Sequence, residues 1–319
     1  MINRADYSAD PDEDPDLPLI VPEACAGQRI DQVLAQLLPD QSRNRLQAWV
    51  REGRVLVDER EVPPKFRVRG GESLLIDVPP PPEAVADAPE AIDLEVVFED
   101  EALIVINKPA GLVVHPGSGN WQGTLLNALL FHCPALSRVP RAGIVHRLDK
   151  DTSGLLVVAK TLAAQTDLVR QLQARTVHRV YLALAHGAIS AGGTVNAPIG
   201  RHPSQRTRMA VVGQGRDAVT HYTVVDRFAA CTLVRCRLET GRTHQIRVHM
   251  AHIGHPLVGD PVYGRRRCLD PVLQAFPRQA LHATQLGLIH PLSGEAMSWE
   301  APMPDDMQAL IASLGKAEA

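Results

Sequence analysis

The first sixty residues after the N-terminal tail alternate helical and strand patterns. Ser42 is typical of the N-cap of a second helix, which Gly53 ends. Strands are predicted at 55–57 and 73–78, each next to a turn. Upstream, residues 28–38 place five apolar side chains on one helical face: Ile30, Val33, Leu34, Leu37 and Leu38. The pattern indicates a small helix-helix-strand unit.

Four consecutive prolines, residues 79–82, end this unit because they cannot continue a sheet. With the acidic stretch behind them they predict a linker between two modules. The N-terminal tail is acidic and poor in apolar residues, so we expect it to be disordered. The predicted divisions are a tail at 1–17, a small unit at 18–78, a linker at 79–91, a main domain at 92–312 and a tail at 313–319.

The main domain alternates short apolar runs with amphipathic segments. Strands are predicted at 96–98, 103–106, 155–159, 180–185 and 232–238, and helices at 123–131 and 162–175. Thr243 is a predicted N-cap for a further helix that buries Ile246, Met250 and Ile253 and ends at Gly254.

The composition of the chain indicates the compartment in which the protein works. No apolar run reaches the roughly 18 residues that a membrane span needs. The N-terminus carries six acids and one arginine, unlike a signal or transit peptide. Five cysteines without a CxxC pair suit a reducing compartment. We therefore expect a cytoplasmic protein that does not bind membranes.

Charge is distributed unevenly along the chain. The net charge of −3 combines −5 in residues 1–17, −8 in residues 79–101 and +10 in residues 102–319. Of 33 basic residues 28 are arginine, whose planar fork suits phosphate. The basic main domain permits a nucleic-acid partner without establishing one, since genomic base composition also raises arginine content.

Asp149 lies in a polar loop, after His146 and Arg147 and directly before a strand predicted to be buried. A carboxylate at such a junction can act as nucleophile or base if a cation keeps it ionised. From the local sequence it could equally be a loop cap or one half of an ion pair.

The small unit resembles the S4 RNA-binding domain in the segments 42–46, 49–55 and 65–72. Arg43, Arg45 and Arg51 share one helix whose other side is apolar, which predicts a basic stripe that binds RNA. The alternative is a solvated helix face balanced by nearby acids, because the unit is net neutral.

Four blocks of the main domain resemble the RluA/RluD family of RNA pseudouridine synthases, in the family's order. They are 106–117 (INKPAGLVVHPG), 141–154 (RAGIVHRLDKDTSG), 179–183 (RVYLA) and 238–250 (LETGRTHQIRVHM). With the S4-like unit the resemblance spans nearly all of 19–310. It implies an α+β fold, a catalytic domain with a mixed, largely antiparallel central sheet preceded by a small S4-like domain.

The resemblance also implies roles for four residues. Asp149 matches the family's catalytic aspartate, and Arg247 the arginine that pairs with it. Tyr181 matches a tyrosine that stacks near the target uracil and helps in proton handling. Arg147 matches an arginine that enters the RNA helix when the base flips out. Taken alone, Tyr181 is typical of a core aromatic residue and Arg247 of a surface arginine.

The implied reaction breaks the N1–C1′ bond of uridine, rotates the uracil and rejoins it through C5. It needs no redox change or outside group, so we expect no cofactor and no metal. Asp149 could attack C6, attack C1′ or remove the 2′ proton. The base must leave its stack at a cost of a few kcal/mol. The implied partner is 23S ribosomal RNA or a precursor of the large ribosomal subunit, bound by a monomer.

Two basic segments could add RNA contacts. Residues 200–217 are predicted to form an exposed arm, in which Arg206 and Arg208 are assigned to RNA, with a merely solvated loop as the alternative. Arg201 and Arg216 lie in the same arm. The run 265–267 is more typical of a solvated loop.

Three alternative functions fit the sequence less well. His244, His249, His252 and His255 lack an HExxH pattern and a nearby carboxylate before Asp260, which argues against a metal site. A non-catalytic ribosome-binding protein is the main alternative, although it would be free to lose Asp149, Tyr181 or Arg247. A hydrolase of the N-glycosidic bond is a third, and it would release free uracil.

Overall fold

The computed structural model describes residues 19–39, 41–78, 86–117, 120–205, 207–264 and 270–315. The chain divides into two compact units, residues 1–81 and 82–319. No helix within the described ranges is long and apolar enough to cross a membrane. The predicted tail at 1–17, most of the linker, Arg206 and the run 265–267 lie outside the described residues.

The small unit packs two helices on a four-stranded antiparallel sheet of order β1-β4-β2-β3. Ser42 caps the second helix by accepting a hydrogen bond from the Arg45 N–H, which confirms the predicted cap. Ile30, Val33 and Leu34 are buried, as their spacing predicts. The elements are β1 (Leu19–Ile20), α1 (Ile30–Leu37), α2 (Arg43–Arg51), β2 (Val55–Val57), β3 (Arg60–Glu61) and β4 (Ser73–Ile76).

Asp31, in the first turn of α1, is a fully buried carboxylate. It accepts two hydrogen bonds from Arg29 (2.9 and 3.0 Å), two from Arg43 (3.2 and 2.9 Å) and one from Gln47 (2.6 Å). Burial would raise the pKa of Asp31, but these hydrogen bonds outweigh it and lower the pKa. The cluster joins α1 to α2, so Arg43 serves the fold as well as the predicted basic stripe.

The described part of the main unit is built on a nine-stranded sheet of order β5-β6-β7-β14-β8-β13-β12-β9, with β15 paired to β14. β14 runs parallel to β7, and the other pairs are antiparallel. This confirms the expected α+β fold with a mixed, largely antiparallel sheet. The strands are β5 (Val96–Glu99), β6 (Leu103–Lys108), β7 (Ser153–Ala159), β8 (His178–His186), β9 (Gly193–Asn196), β12 (Val219–Arg227), β13 (Cys231–Leu238), β14 (Leu281–Ile289) and β15 (Ala296–Glu300).

The predicted arm forms a separate hairpin of β10 (Ile199–Arg201) and β11 (Met209–Val211). The helices of the main unit are α3 (Leu125–His132), α4 (Leu162–Gln173), α5 (Gln245–His252), α6 (Pro271–Ala275) and α7 (Asp305–Ala312).

Both faces of the central strands are covered, which explains their continuous apolar runs. Ile104 and Ile106 of β6 belong to a core shared with α3 and α5. Leu103 and Val105 of the same strand belong to a core on the other face, shared with α4. The sheet therefore gives the loops at its ends a rigid support.

The predicted cap at Thr243 is wrong. The residue at the cap of α5 is His244, in the left-handed conformation with φ 58° and without a side-chain cap. Gln245, the first residue of α5, binds the preceding loop instead, because its Oε1 accepts from the Arg242 N–H at 3.0 Å and from the Thr240 hydroxyl at 2.7 Å. The left-handed turn leaves Thr243 outside the cap position.

Candidate active site

The loop that carries Asp149 is anchored by a buried lysine at the end of β6. Lys108 Nζ donates to the carbonyl oxygens of Pro109 (2.7 Å), Leu112 (2.9 Å) and Lys150 (3.0 Å). Burial lowers the pKa of Lys108 to about 7, while the three bonds use every N–H of the charged ammonium. Lys108 thus ties the residue after Asp149 to the sheet.

His146 anchors the other side of the same loop. Its Nε2 accepts a hydrogen bond from the Val157 N–H at 3.1 Å. Burial, followed by the nearby charge of Arg179, lowers the pKa of His146 to about 3. The imidazole is therefore neutral, as an acceptor of a backbone N–H must be.

Arg247 of α5 meets Asp149 although 98 residues separate them along the chain. Its Nη1 donates to Asp149 Oδ2 at 2.9 Å. The remaining donors of the fork, Nε and Nη2, bind the two oxygens of Asp260 at 2.7 and 3.0 Å. Burial would lower the pKa of Arg247, but Asp260 and Asp149 raise it. The structure therefore brings the predicted pair together, with a permanent charge on the arginine.

Asp260 was not predicted as a site residue from the sequence, where it is only the first carboxylate after the four histidines. It also accepts from the N–H groups of Val262 (2.8 Å) and Tyr263 (2.9 Å). Burial raises the pKa of Asp260, but Arg247 holds it below its usual value. The residue before Asp260 is a glycine, which is the sequence signal for a turn at this place. At Gly259 (φ +69°) a Cβ would lie 2.0 Å from the Arg278 carbonyl oxygen, so this turn requires glycine.

Two aromatic rings complete the surroundings of the Asp149 carboxylate. Arg247 lies over the Tyr263 ring, 5.1 Å from its centroid. The Tyr263 hydroxyl accepts from the Met209 N–H and lies 2.9 Å from His244 Nδ1. Burial lowers the pKa of His244, whose Nε2 lies 3.8 Å from Asp149 Oδ1.

Asp149, Tyr181, Arg147 and Arg247 all line one cleft of about 1020 Å³. The Asp149 side chain keeps 17% of its surface exposed there. Tyr181 of β8 is buried, and burial raises its pKa, so the phenol keeps its proton. Arg147 is exposed. Six arginines line the cleft, which suits an anionic polymer: Arg141, Arg147, Arg175, Arg179, Arg242 and Arg247.

Arg208, another predicted RNA-binding residue, is not among the residues that line this cleft. Arg208 donates to Gln205 at 3.0 Å and lies over the Tyr263 ring at 5.5 Å. In the small unit, Arg45 lies over Trp49 at 5.4 Å and Arg51 donates to Gln47 at 3.2 Å. The arm is therefore linked to the Asp149 site through Tyr263.

Within the described ranges, no group of three or more histidines, cysteines, aspartates or glutamates is arranged to hold a metal ion. His249, one of the four histidines considered above, is buried with both ring nitrogens in hydrogen bonds, to the Thr220 hydroxyl and to the Ala197 carbonyl, each at 2.9 Å. These contacts make it a core histidine of α5.

Comparisons with known proteins agree with this geometry. The family model described as RNA pseudouridylate synthase matches residues 102–252, and the S4 domain model matches residues 28–74. A ribosomal large subunit pseudouridine synthase D from Nitrosomonas europaea is 57% identical over 98% of this chain and 95% of its own length. Its counterpart from Escherichia coli strain K12 is 55% identical over 91% of this chain and 92% of its own length.

A solved structure shares the fold. The human protein RNA pseudouridylate synthase domain containing 1 aligns with a TM-score of 0.57 at 28% identity, over 72% of this chain and 90% of that one.

Proposed function

The chain belongs to the RNA pseudouridylate synthase family, and from that premise we propose that it converts specific uridines of 23S ribosomal RNA to pseudouridine with Asp149 and no cofactor. The names of its relatives support a large-subunit RNA as the substrate. The observation that carries the proposal is the Asp149–Arg247 pair, which faces a cleft rich in arginine.

Asp149 is the reacting carboxylate in this proposal. Arg247 holds one oxygen at 2.9 Å, and Asp260 fixes Arg247 from behind. Attack on C6, attack on C1′ and removal of the 2′ proton all require an ionised carboxylate, and Arg247 places a buried positive charge beside it. The exposed part of Asp149 leaves room for the nucleotide.

Tyr181 and Arg147 receive the flipped nucleotide. The ring of Tyr181 stacks on the uracil, and its protonated phenol can exchange a proton with the base. Arg147 is exposed beside Asp149 and fills the place that the uridine leaves in the RNA. Together they offset part of the few kcal/mol that unstacking costs.

The remaining RNA contacts come from two regions in this proposal. Arg43, Arg45 and Arg51 of the S4-like unit bind the ribosomal RNA or the precursor of the large subunit, and Arg206 and Arg208 of the arm add contacts near the site. Arg45 and Arg51 carry more of that binding than Arg43, which is bound to Asp31. The protein acts in the cytoplasm as a monomer, with the domain divisions given above.

Mapping pseudouridine in 23S RNA from cells that lack the protein tests the proposal. The sites that disappear should return with the wild type and with Asp151→Asn, a control aspartate in the same loop. They should not return with Asp149→Asn, whose RNA binding in a gel-shift assay should equal the wild type. Restored sites in Asp149→Asn cells would contradict the mechanism.

The same experiment separates the alternative functions. A non-catalytic ribosome-binding protein would leave the pseudouridine map unchanged on deletion. A hydrolase would release free uracil from RNA in a purified reaction, and we expect none.

A further inference from the structure

Arg179 is a buried arginine in the cleft, and the described residues offer its Nε no hydrogen-bond acceptor. It lies on β8 two residues before Tyr181, so both side chains point to the same face of the sheet. It is only 7% exposed. Within the described residues no carboxylate forms an ion pair with it.

The other two buried arginines of the main unit show what is unusual here. Arg247 binds Asp260 through two donors, and Arg278 binds Asp306 in the same way at 2.7 and 2.8 Å. A buried charge ordinarily needs such a partner. The cleft glutamate, Glu239, is engaged with His221 at 2.5 Å and with Arg175 at 3.6 Å.

The absence of a side chain at Gly241, in the loop before α5, allows the Arg179 guanidinium to lie close to the backbone of that loop. A Cβ on Gly241 would lie 2.6 Å from Arg179 Nη1. Arg175 and Arg242 line the same cleft. Arg179 is therefore an unpaired cation in a part of the cleft where neighbouring arginines already favour the binding of an anion.

We propose that Arg179 binds one backbone phosphate of the substrate RNA next to the target uridine, and so sets the depth at which the uracil lies against Tyr181. This inference rests on the proposed function. A guanidinium fork matches the oxygens of a phosphate in two parallel hydrogen bonds. Arg179 and Tyr181 start roughly 7 Å apart along the strand, within the span of one nucleotide.

A double-mutant cycle between protein and RNA tests the contact. The substrate is a stem-loop that carries a uridine identified by the mapping experiment, with either natural phosphates or one neutral methylphosphonate 5′ or 3′ of that uridine. Arg179→Gln removes the charge from the protein side. On natural RNA it should lower kcat/KM by roughly 10- to 100-fold, as expected for one or two charge-assisted hydrogen bonds.

One methylphosphonate should lower the wild-type kcat/KM by a similar factor. The same substitution should have no further effect on Arg179→Gln, because the two changes remove one interaction. Arg179→Lys should recover part of the activity on natural RNA. Arg237→Gln is the matched control, since Arg237 pairs in register with Val180 and therefore lies exposed on the opposite face.

Several results would overturn the inference. Additive losses from Arg179→Gln and both neutral linkages would show that no phosphate contacts this residue. Activity of Arg179→Gln equal to that of Arg237→Gln would do the same. A purely structural arginine would lower the urea midpoint when removed, whereas we expect no decrease. If the wild type itself makes no pseudouridine, the proposed function fails instead.

Discussion

Asp31 and Asp149 are both bound by arginines, and their environments are opposite. Asp31 of the small unit has no exposed surface and accepts five hydrogen bonds from three side chains. Asp149 of the main unit accepts one close hydrogen bond from Arg247 and keeps 17% of its side chain exposed at a cleft. A fully buried carboxylate held by five hydrogen bonds can only join helices together, whereas one with an exposed part can react.

The arginines that bind these two aspartates also differ in how exposed and how firmly held they are. The side chains of Arg29 and Arg43 are 31% and 47% exposed, and both bind the buried carboxylate of Asp31. Arg247 is 5% exposed and is itself fixed by a second carboxylate, Asp260. In the cleft the cation is immobilised and the aspartate stays available, which is the arrangement that electrostatic preorganisation requires.

Exchanging the two aspartates for asparagine should give the largest contrast. Asp149→Asn should lower the single-turnover rate by at least about 1000-fold, or about 4 kcal/mol, with little loss of stability because Arg247 keeps Asp260. Asp31→Asn should lower the stability of the small unit by about 2–4 kcal/mol and leave the rate at saturating enzyme nearly unchanged. Rapid-quench kinetics and hydrogen exchange of α1 and α2 measure both. Equal stability losses in the two variants would remove the contrast.

Asp260→Asn tests whether Asp260 must bind Arg247 for the arginine to keep its place beside Asp149. The asparagine loses the charge that fixes the guanidinium, so the arginine shifts relative to Asp149. We expect kcat to fall by about 100-fold, as for a misplacement near 1 Å, with KM nearly unchanged. Asp306→Asn is the control, because it loosens a similar fork on Arg278. Steady-state kinetics that show a loss only in KM would assign Asp260 to RNA binding instead.

Lys108→Met tests the buried cation that holds the Asp149 loop. It keeps the side-chain volume but leaves the carbonyl oxygens of Pro109 and Leu112 without their donor, while the Lys150 carbonyl keeps the Gly111 N–H at 2.9 Å. The free energy of unfolding should therefore fall by about 2–3 kcal/mol. Lys160→Met is the control, since Lys160 forms a partly exposed ion pair with Glu99 at 2.7 Å and should contribute at most about 1 kcal/mol. Urea denaturation compares them, and equal losses would show that Lys108 is not an anchor.

His146→Gln should give the smallest effect, a change in pH dependence. Burial lowers the pKa of His146 to about 3 from its ordinary 6.5, so the unfolded chain binds a proton first as the pH falls. Stability that is present above pH 6.5 is therefore lost between pH 6.5 and 3. Glutamine can accept from Val157 without titrating.

Between pH 7 and 5 the wild type should lose on the order of 1 kcal/mol more than the His146→Gln variant, as followed by urea denaturation at each pH. His178→Gln changes an exposed histidine and should behave as the wild type does. Parallel curves for the wild type and His146→Gln would show that His146 does not titrate with folding.

Local features of this chain followed from its sequence. The Ser42 cap and the buried face of α1 depend on residues within one or two turns of each other, so spacing alone predicted them. The four sequence blocks that resemble the family gave Asp149, Tyr181 and Arg247 their predicted roles. Each of these residues taken alone could not have been given one. Thr243 was assigned wrongly because its place depends on the left-handed conformation of His244, which the packing of a whole loop imposes.

Sequence by itself determined several of the helices and strands and, through the long motifs that resemble the family, the α+β class and the family, because periodicity, turns and motifs are properties of neighbouring residues. Only the tertiary structure decided that Asp260 supports Arg247, that Lys108 holds the Asp149 loop, and that Arg179 stays unpaired. Those facts depend on which distant segments the sheet brings within hydrogen-bond distance and on how much water remains beside each charge. That is why Asp31 and Asp149, alike as aspartates near arginines in the sequence, have opposite environments in the fold.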